Sequence, residues 1–160
     1  MEASLELSGA QIPSVGDYLF ADMHISKEML RQSRRRCRTY PQVEFVEARI
    51  EQPLAFRHEF DKVCLFFVLH GFEDAAKEAI VANAHNALKS GGTLWILDYD
   101  QFALRNLPFP LRWAFTHLEC ELAVEFLQFD LEGMLKLAAF GDFVSYPFSR
   151  GYLRLLEAHK

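Results

Sequence analysis

Two strand-like stretches of this chain end in side chains that can move protons. Phe60-Asp61-Lys62-Val63-Cys64-Leu65-Phe66-Phe67-Val68-Leu69 runs into His70, and Thr93-Leu94-Trp95-Ile96-Leu97 runs into Asp98, Tyr99 and Asp100. A neutral imidazole near physiological pH takes a proton from a phenol or enol hydroxyl, which makes His70 a candidate general base; the bland alternative is a hydrogen-bonded structural histidine. Nearer the start, Asp22 and His24 fall around the end of another strand-like segment, and an ionised carboxylate, which only accepts hydrogen bonds, suits a pair of hydroxyls. No metal centre is expected, because His117-x-x-Cys120 has no second ligand pair.

The elements that would position these groups follow from periodicity. Residues 4–8 and 17–23 read as short strands, and Ser26 as the cap of a helix that Thr39-Tyr40-Pro41 ends. Residues 43–48 are the next strand. The unbroken apolar run 63–69 predicts a central strand covered on both faces. Ala76, Ile80, Ala84 and Leu88 recur every fourth residue, so 73–89 predicts an amphipathic helix, with Gly91-Gly92 as its left-handed stop before a strand over 93–98. Residues 102–129, with Phe109, Trp113, Phe115, Phe126 and Phe129, read as a helical insertion over the sheet's carboxyl edge. A helix over 131–139 and two strands, 143–147 and 152–158, complete the chain; the short Ser149-Arg150-Gly151 link demands antiparallel pairing.

Alternating strands and helices predict an α/β domain with a mostly parallel sheet, helices on both faces and an antiparallel closing hairpin. At 160 residues, one domain over 1–160 is expected, with a real core. The longest apolar run is far short of the ~20 residues that a bilayer span needs, so no membrane span is expected, nor is a cleavable leader visible after Met1. A net charge of −5 argues against general nucleic-acid affinity, and Arg31, Arg34, Arg35, Arg36 and Arg38 read as a solvated helix face. Cys37, Cys64 and Cys120, odd in number and widely spaced, fit buried free thiols in a reducing, cytoplasmic setting.

The segment from Phe60 to His70, the helix after it, and Leu88-Lys89-Ser90-Gly91-Gly92-Thr93-Leu94-Trp95-Ile96-Leu97-Asp98 resemble the second half of the class I S-adenosylmethionine-dependent methyltransferases. There an apolar strand opened by FD and closed by LH, a helix, and LKxGGxLxIxD follow in that order. The resemblance is nearest to the small-molecule, quinone-biosynthesis branch. It implies a Rossmann-like sheet of seven strands, S-adenosyl-L-methionine as cofactor, and methyl transfer to a small-molecule acceptor, aromatic or lipidic, with no nucleic acid involved.

Residue by residue, Glu6 and Gly9 fall on the family's opening strand and glycine turn, where a missing side chain lets backbone approach the cofactor. Phe20 to Leu30 looks like GxDxSxxML, whose acidic residue accepts the ribose hydroxyls; His24 stands at that position and Asp22 two residues before it. Val46-Glu47-Ala48-Arg49-Ile50-Glu51 looks like VxGDAExLPF, with Arg49 in place of the aspartate that meets the adenine amino group. Arginine cannot accept a hydrogen bond, which leaves backbone groups around Ala48 and Ile50 to do so. Phe67, or Val68, corresponds to the apolar contact with adenine or methyl donor, and His70 and Tyr99 to the catalytic side.

Arg49 and two further departures imply a competing reading. The turn Gly9-Ala10-Gln11-Ile12-Pro13 is shorter than the family's three spaced glycines, and Met1 lies just three residues before Ser4, where relatives carry one or two covering helices. With a truncated N-terminus and a shortened glycine motif, the alternative is a catalytically inactive methyltransferase-like binding or scaffold domain that acts through a partner or as a homodimer. The absence of a G-x-G-x-x-G after the first strand argues against a nicotinamide dehydrogenase. The absence of an Asn/Asp-Pro-Pro-Tyr run argues against DNA adenine or protein glutamine as acceptor.

Overall fold

The computed structural model of the chain describes residues 19–22, 27–40 and 44–160. The expected strand over 4–8, with Glu6, and Gly9 and His24 lie outside them. Two compact units divide the chain at Arg49 and Ile50, and each is described by itself.

In the first unit, β1 (Leu19–Asp22), α1 (Lys27–Arg36) and β2 (Glu44–Glu47) form one strand, helix, strand unit. The strands pair in parallel from Leu19 opposite Glu44 to Asp22 opposite Glu47, which requires a crossover such as α1 provides. Arg34, Arg35 and Arg36 in the last turn of α1 face the partial negative charge of the helix end, and they are exposed as expected of a solvated basic face. The Arg34 guanidinium lies 6.0 Å from the Phe45 ring centre.

The second unit holds a four-stranded sheet in the order β3 (Phe60–Phe66), β4 (Leu88–Tyr99), β6 (Leu153–His159), β5 (Gly141–Phe148). The pair β3 and β4 is parallel, joined by α2 (Asp74–Ala87); β6 runs antiparallel between β4 and β5. The remaining helices are α3 (Phe109–Leu118), α4 (Glu121–Phe126) and α5 (Leu131–Leu137). Ile80, Val81, Leu88, Leu94, Ile96, Leu135 and Leu156 are fully buried. Each such side chain contributes about 1.5–3 kcal/mol. Described strands therefore number six, in sheets of two and four, where seven in one sheet were expected.

Several expectations need correction. The run 63–69 does not form one strand covered on both faces: β3 stops at Phe66, and Phe67 takes φ 55° while its N–H still bonds to β4. Leu65 is buried, whereas Cys64 and Phe66 are exposed. Nor are the thiols buried; Cys64 and Cys120 are exposed and Cys37 half-buried. The helix expected to reach Lys89 ends at Ala87, because Leu88 is extended and opens β4; the Lys160 ammonium donates to the His85 and Leu88 carbonyls and satisfies that terminus. Gly91, at φ 74°, therefore makes its left-handed turn inside β4, in the excursion that lets Lys62 pair with Thr93 after Phe60 pairs with Leu88. Lys77 rather than Ala76 tops the buried stripe of α2. Its ammonium pairs with Asp74 at 2.9 Å and sits 4.6 Å from the Phe129 ring centre.

Candidate functional site

Parallel pairing brings the carboxyl ends of β3 and β4 side by side, with Phe66 opposite Leu97 and the Phe67 N–H donating to the Leu97 carbonyl at 2.8 Å. Open α/β sheets bind ligands just beyond such ends. Here β3 gives way to Phe67 in the left-handed region and to a 3-10 turn, Leu69–Gly71, that carries His70. A non-glycine residue held at positive φ costs roughly 1–3 kcal/mol and persists where its surroundings over-determine it, often at binding sites.

Side chains alternate along β4, so Leu94, Ile96 and Asp98 share one face; all three are buried, Asp98 at 2% exposure. A carboxylate so buried needs donors, and it has three. Its Oδ1 accepts the Tyr99 N–H at 2.9 Å and the His70 ring Nδ1 at 2.7 Å, and its Oδ2 accepts the His70 backbone N–H at 3.3 Å. Because the ionised carboxylate can only accept, Nδ1 must carry the proton, which fixes the tautomer and leaves Nε2 as the nitrogen that gains and loses one. Burial alone would lower the imidazole pKa; the hydrogen bond to Asp98 and the charges of Asp98 and Glu119 outweigh it, and the net direction is up.

Tyr99 points to the other face of β4. Its hydroxyl donates to Glu119 Oε1 at 2.7 Å, and its ring meets His70 at 5.0 Å, Phe115 at 4.9 Å and Phe67 at 6.1 Å, all edge-on. Burial, then the hydrogen bond to Glu119 and the charges of Glu119 and Asp98, push its pKa far up. Tyr99 thus stays a protonated phenol, an aromatic wall with a committed donor. The joint between α3 and α4 reaches both residues, Glu119 holding Tyr99 and Cys120 directing its thiol toward the His70 carbonyl at 3.9 Å.

A second polar device sits at the start of this unit. Asn83 of α2, 8% exposed, donates from Nδ2 to the Ile50 carbonyl at 2.6 Å and the Gln52 carbonyl at 2.7 Å. It fastens the loop 50–54 to the helix, with Ile50 buried beneath.

The structure brings His70, Tyr99 and Phe67 together, with Phe67 46% exposed. Ile50 is buried in the same unit, its carbonyl held by Asn83. Asp22 ends β1 in the first unit, where Arg49 is exposed; Glu6, Gly9 and His24 lie outside the described residues. Asp98 was expected at the strand end beside Tyr99 and Asp100; its pairing with His70 is the addition, and the parity of Leu94, Ile96 and Asp98 on a buried face was the available signal for it. Glu119, twenty residues from Tyr99 in sequence, and Asn83 left no such signal.

An α/β unit with a polar cluster beyond the carboxyl ends of two parallel strands belongs to the open-sheet class. The family model described as a methyltransferase domain matches residues 12–92, half of the chain, and the chain belongs to that family. An uncharacterized methyltransferase of Synechocystis sp. strain PCC 6803 is 28% identical over 126 residues, covering 74% of this chain and 56% of that protein. Among solved structures, an O-methyltransferase family protein from Burkholderia thailandensis superposes with a TM-score of 0.64 at 19% identity, over 89% of this chain and 43% of that one. Human N-acetylserotonin methyltransferase, solved in complex with S-adenosylmethionine, does so with a TM-score of 0.62 at 18% identity, over 89% and 40%. These likenesses show the fold, and this chain spans about half the length of its relatives.

Proposed function

We propose that this chain is the cofactor-binding and catalytic part of an S-adenosylmethionine-dependent methyltransferase acting on a small molecule with an ionisable hydroxyl, phenolic or enolic. The observation that carries the reading is the His70 and Asp98 pair beyond the ends of β3 and β4, a base whose tautomer is fixed by a buried carboxylate. The residues suit the cofactor, because Phe67 offers an exposed aromatic face for a flat ring at the strand end where such ligands lie. S-adenosylmethionine supplies, when bound, an electrophilic methyl group. The chain's own part is to align the acceptor and exclude water, with Phe67, Tyr99 and Phe115 as walls, and to take the acceptor's proton on His70 Nε2. Glu119 keeps the Tyr99 ring in place by holding its hydroxyl.

The family resemblance extends this reading to Glu6, Gly9, Asp22 and His24 as further cofactor contacts, to backbone groups near Ile50 at the adenine, and to a sheet of seven strands. Calorimetric titration with S-adenosylmethionine tests it. Saturable binding is expected, weakened about tenfold or more by Phe67→Ala and by Asp22→Ala. His70→Ala is expected to leave binding within about twofold while lowering turnover of phenolic acceptors by roughly 10²–10⁴-fold. No binding up to millimolar cofactor would overturn the proposal in favour of a scaffold domain.

A further inference from the structure

Helix α3 is aromatic on two sides. Phe115 packs inward against Tyr99 and Phe102, at 4.9 and 5.9 Å between ring centres. Phe109, Trp113 and His117, spaced i, i+4 and i+8, face outward, with Phe109 69% and Trp113 52% exposed and the His117 ring stacked on Trp113 at 4.8 Å. The inward side is used by the core. The outward side has no such use, and contiguous exposed aromatic surface marks an interaction site.

Charge identifies its occupant. The chain has more acidic than basic residues, 22 against 17, yet residues 101–118 contain no Asp or Glu, while Arg105 and Arg112 lie among the aromatics. Of the acids bounding this stretch, Asp100 pairs with Arg154 at 3.4 Å, and Glu119 turns to the Tyr99 hydroxyl, away from the outward rings. The Arg112 guanidinium lies 6.0 Å from the Phe109 ring centre, so a cation stands beside the aromatic ridge. Trp and Phe beside Arg, without acids, is the chemistry of a helix lying in the interface of an anionic bilayer. A ridge of three rings is too narrow for a stable protein interface, which takes ~20–30 residues a side.

We infer that the outward face of α3, with Phe109 and Trp113 as apolar anchors and Arg105 and Arg112 as phosphate contacts, docks the protein on an anionic lipid surface. Among the described residues no helix is long and apolar enough to cross a membrane. The inference is independent of the methyl-transfer reading.

The test uses the whole chain with vesicles of phosphatidylcholine, with and without phosphatidylglycerol. Flotation with phosphatidylglycerol vesicles alone is expected, declining as salt is raised. In a Trp95→Phe background, Trp113 emission should shift to the blue on binding. Phe109→Ser with Trp113→Ser should weaken binding at least tenfold, as should Arg105→Gln with Arg112→Gln, each without change in far-UV circular dichroism. No flotation with anionic vesicles, or flotation that survives the aromatic double variant, would overturn the inference. Concentration-dependent self-association abolished by that variant, without vesicle binding, would assign the face to a second copy instead.

Discussion

Replacing Asp98 with Asn removes one charge and leaves the shape nearly unchanged, so its cost can be worked from three hydrogen bonds. With the amide oxygen in the place of Oδ1, the bonds from His70 Nδ1 and the Tyr99 N–H survive as neutral ones. Each then loses the difference between a charged and a neutral acceptor, about 1 kcal/mol. The amide NH2 takes the place of Oδ2 and faces the His70 backbone N–H, donor against donor. An unsatisfied buried donor costs about 1–3 kcal/mol. Relief from burying a charge offsets part of this, and the expected net loss is about 3 kcal/mol. The loss should also depend on pH. His70 has a folded pKa raised above its unfolded value of about 6.5, so its contribution is fully present below that pH and is lost as pH rises through the folded pKa. Without the Asp98 charge that contribution disappears, and the gap between wild type and Asp98→Asn should be wider at pH 6 than at pH 8.5. His85, whose pKa is lowered by burial, Lys160 and His58, contributes with the opposite sign in both proteins and cancels in the difference. Urea unfolding of both proteins at the two pH values measures the gap. A loss below about 1 kcal/mol, or a gap that does not change with pH, would refute the assignment of Asp98 as the charge partner of His70.

Asn83→Ala strips the donors from two carbonyls, that of buried Ile50 and that of Gln52, whose side of the loop is exposed, and should cost about 2 kcal/mol in urea unfolding. Asn83→Asp, which cannot donate, should do no better, whereas a small effect of both would show that the loop 50–54 holds itself. At the excursion in β4, Gly91→Ala meets no atom within 4 Å but forces an alanine to φ 74°, for about 1 kcal/mol. Gly92→Ala would bring its Cβ to 2.9 Å from the Lys89 carbonyl oxygen and 3.1 Å from that of Asp61, both backbone, and should cost more, about 2–3 kcal/mol. The order of the two melting temperatures checks this, and a reversed order would contradict the packing described.

Much of the second unit was written locally. The recurrence of Ile80 and Ala84 at every fourth residue made α2 legible, and the short Ser149-Arg150-Gly151 link made the antiparallel hairpin legible, because periodicity and loop length act between near neighbours. His70 and Tyr99 stood out as polar groups ending apolar runs. What the sequence by itself determined, then, is the alternation of elements and the residues that close them. Tertiary structure alone decided which of those residues acquire partners. Parallel pairing set Asp98 beside His70, the joint after α3 delivered Glu119 to Tyr99, and Lys160, far along the sequence, supplied donors to the carbonyls at the end of α2. Phe67 left the strand that its apolar neighbours predicted, because beyond Phe66 the chain turns into the segment that carries His70. Charge and hydrogen bonding depend on distance through space, and that distance exists only after the sheet has formed.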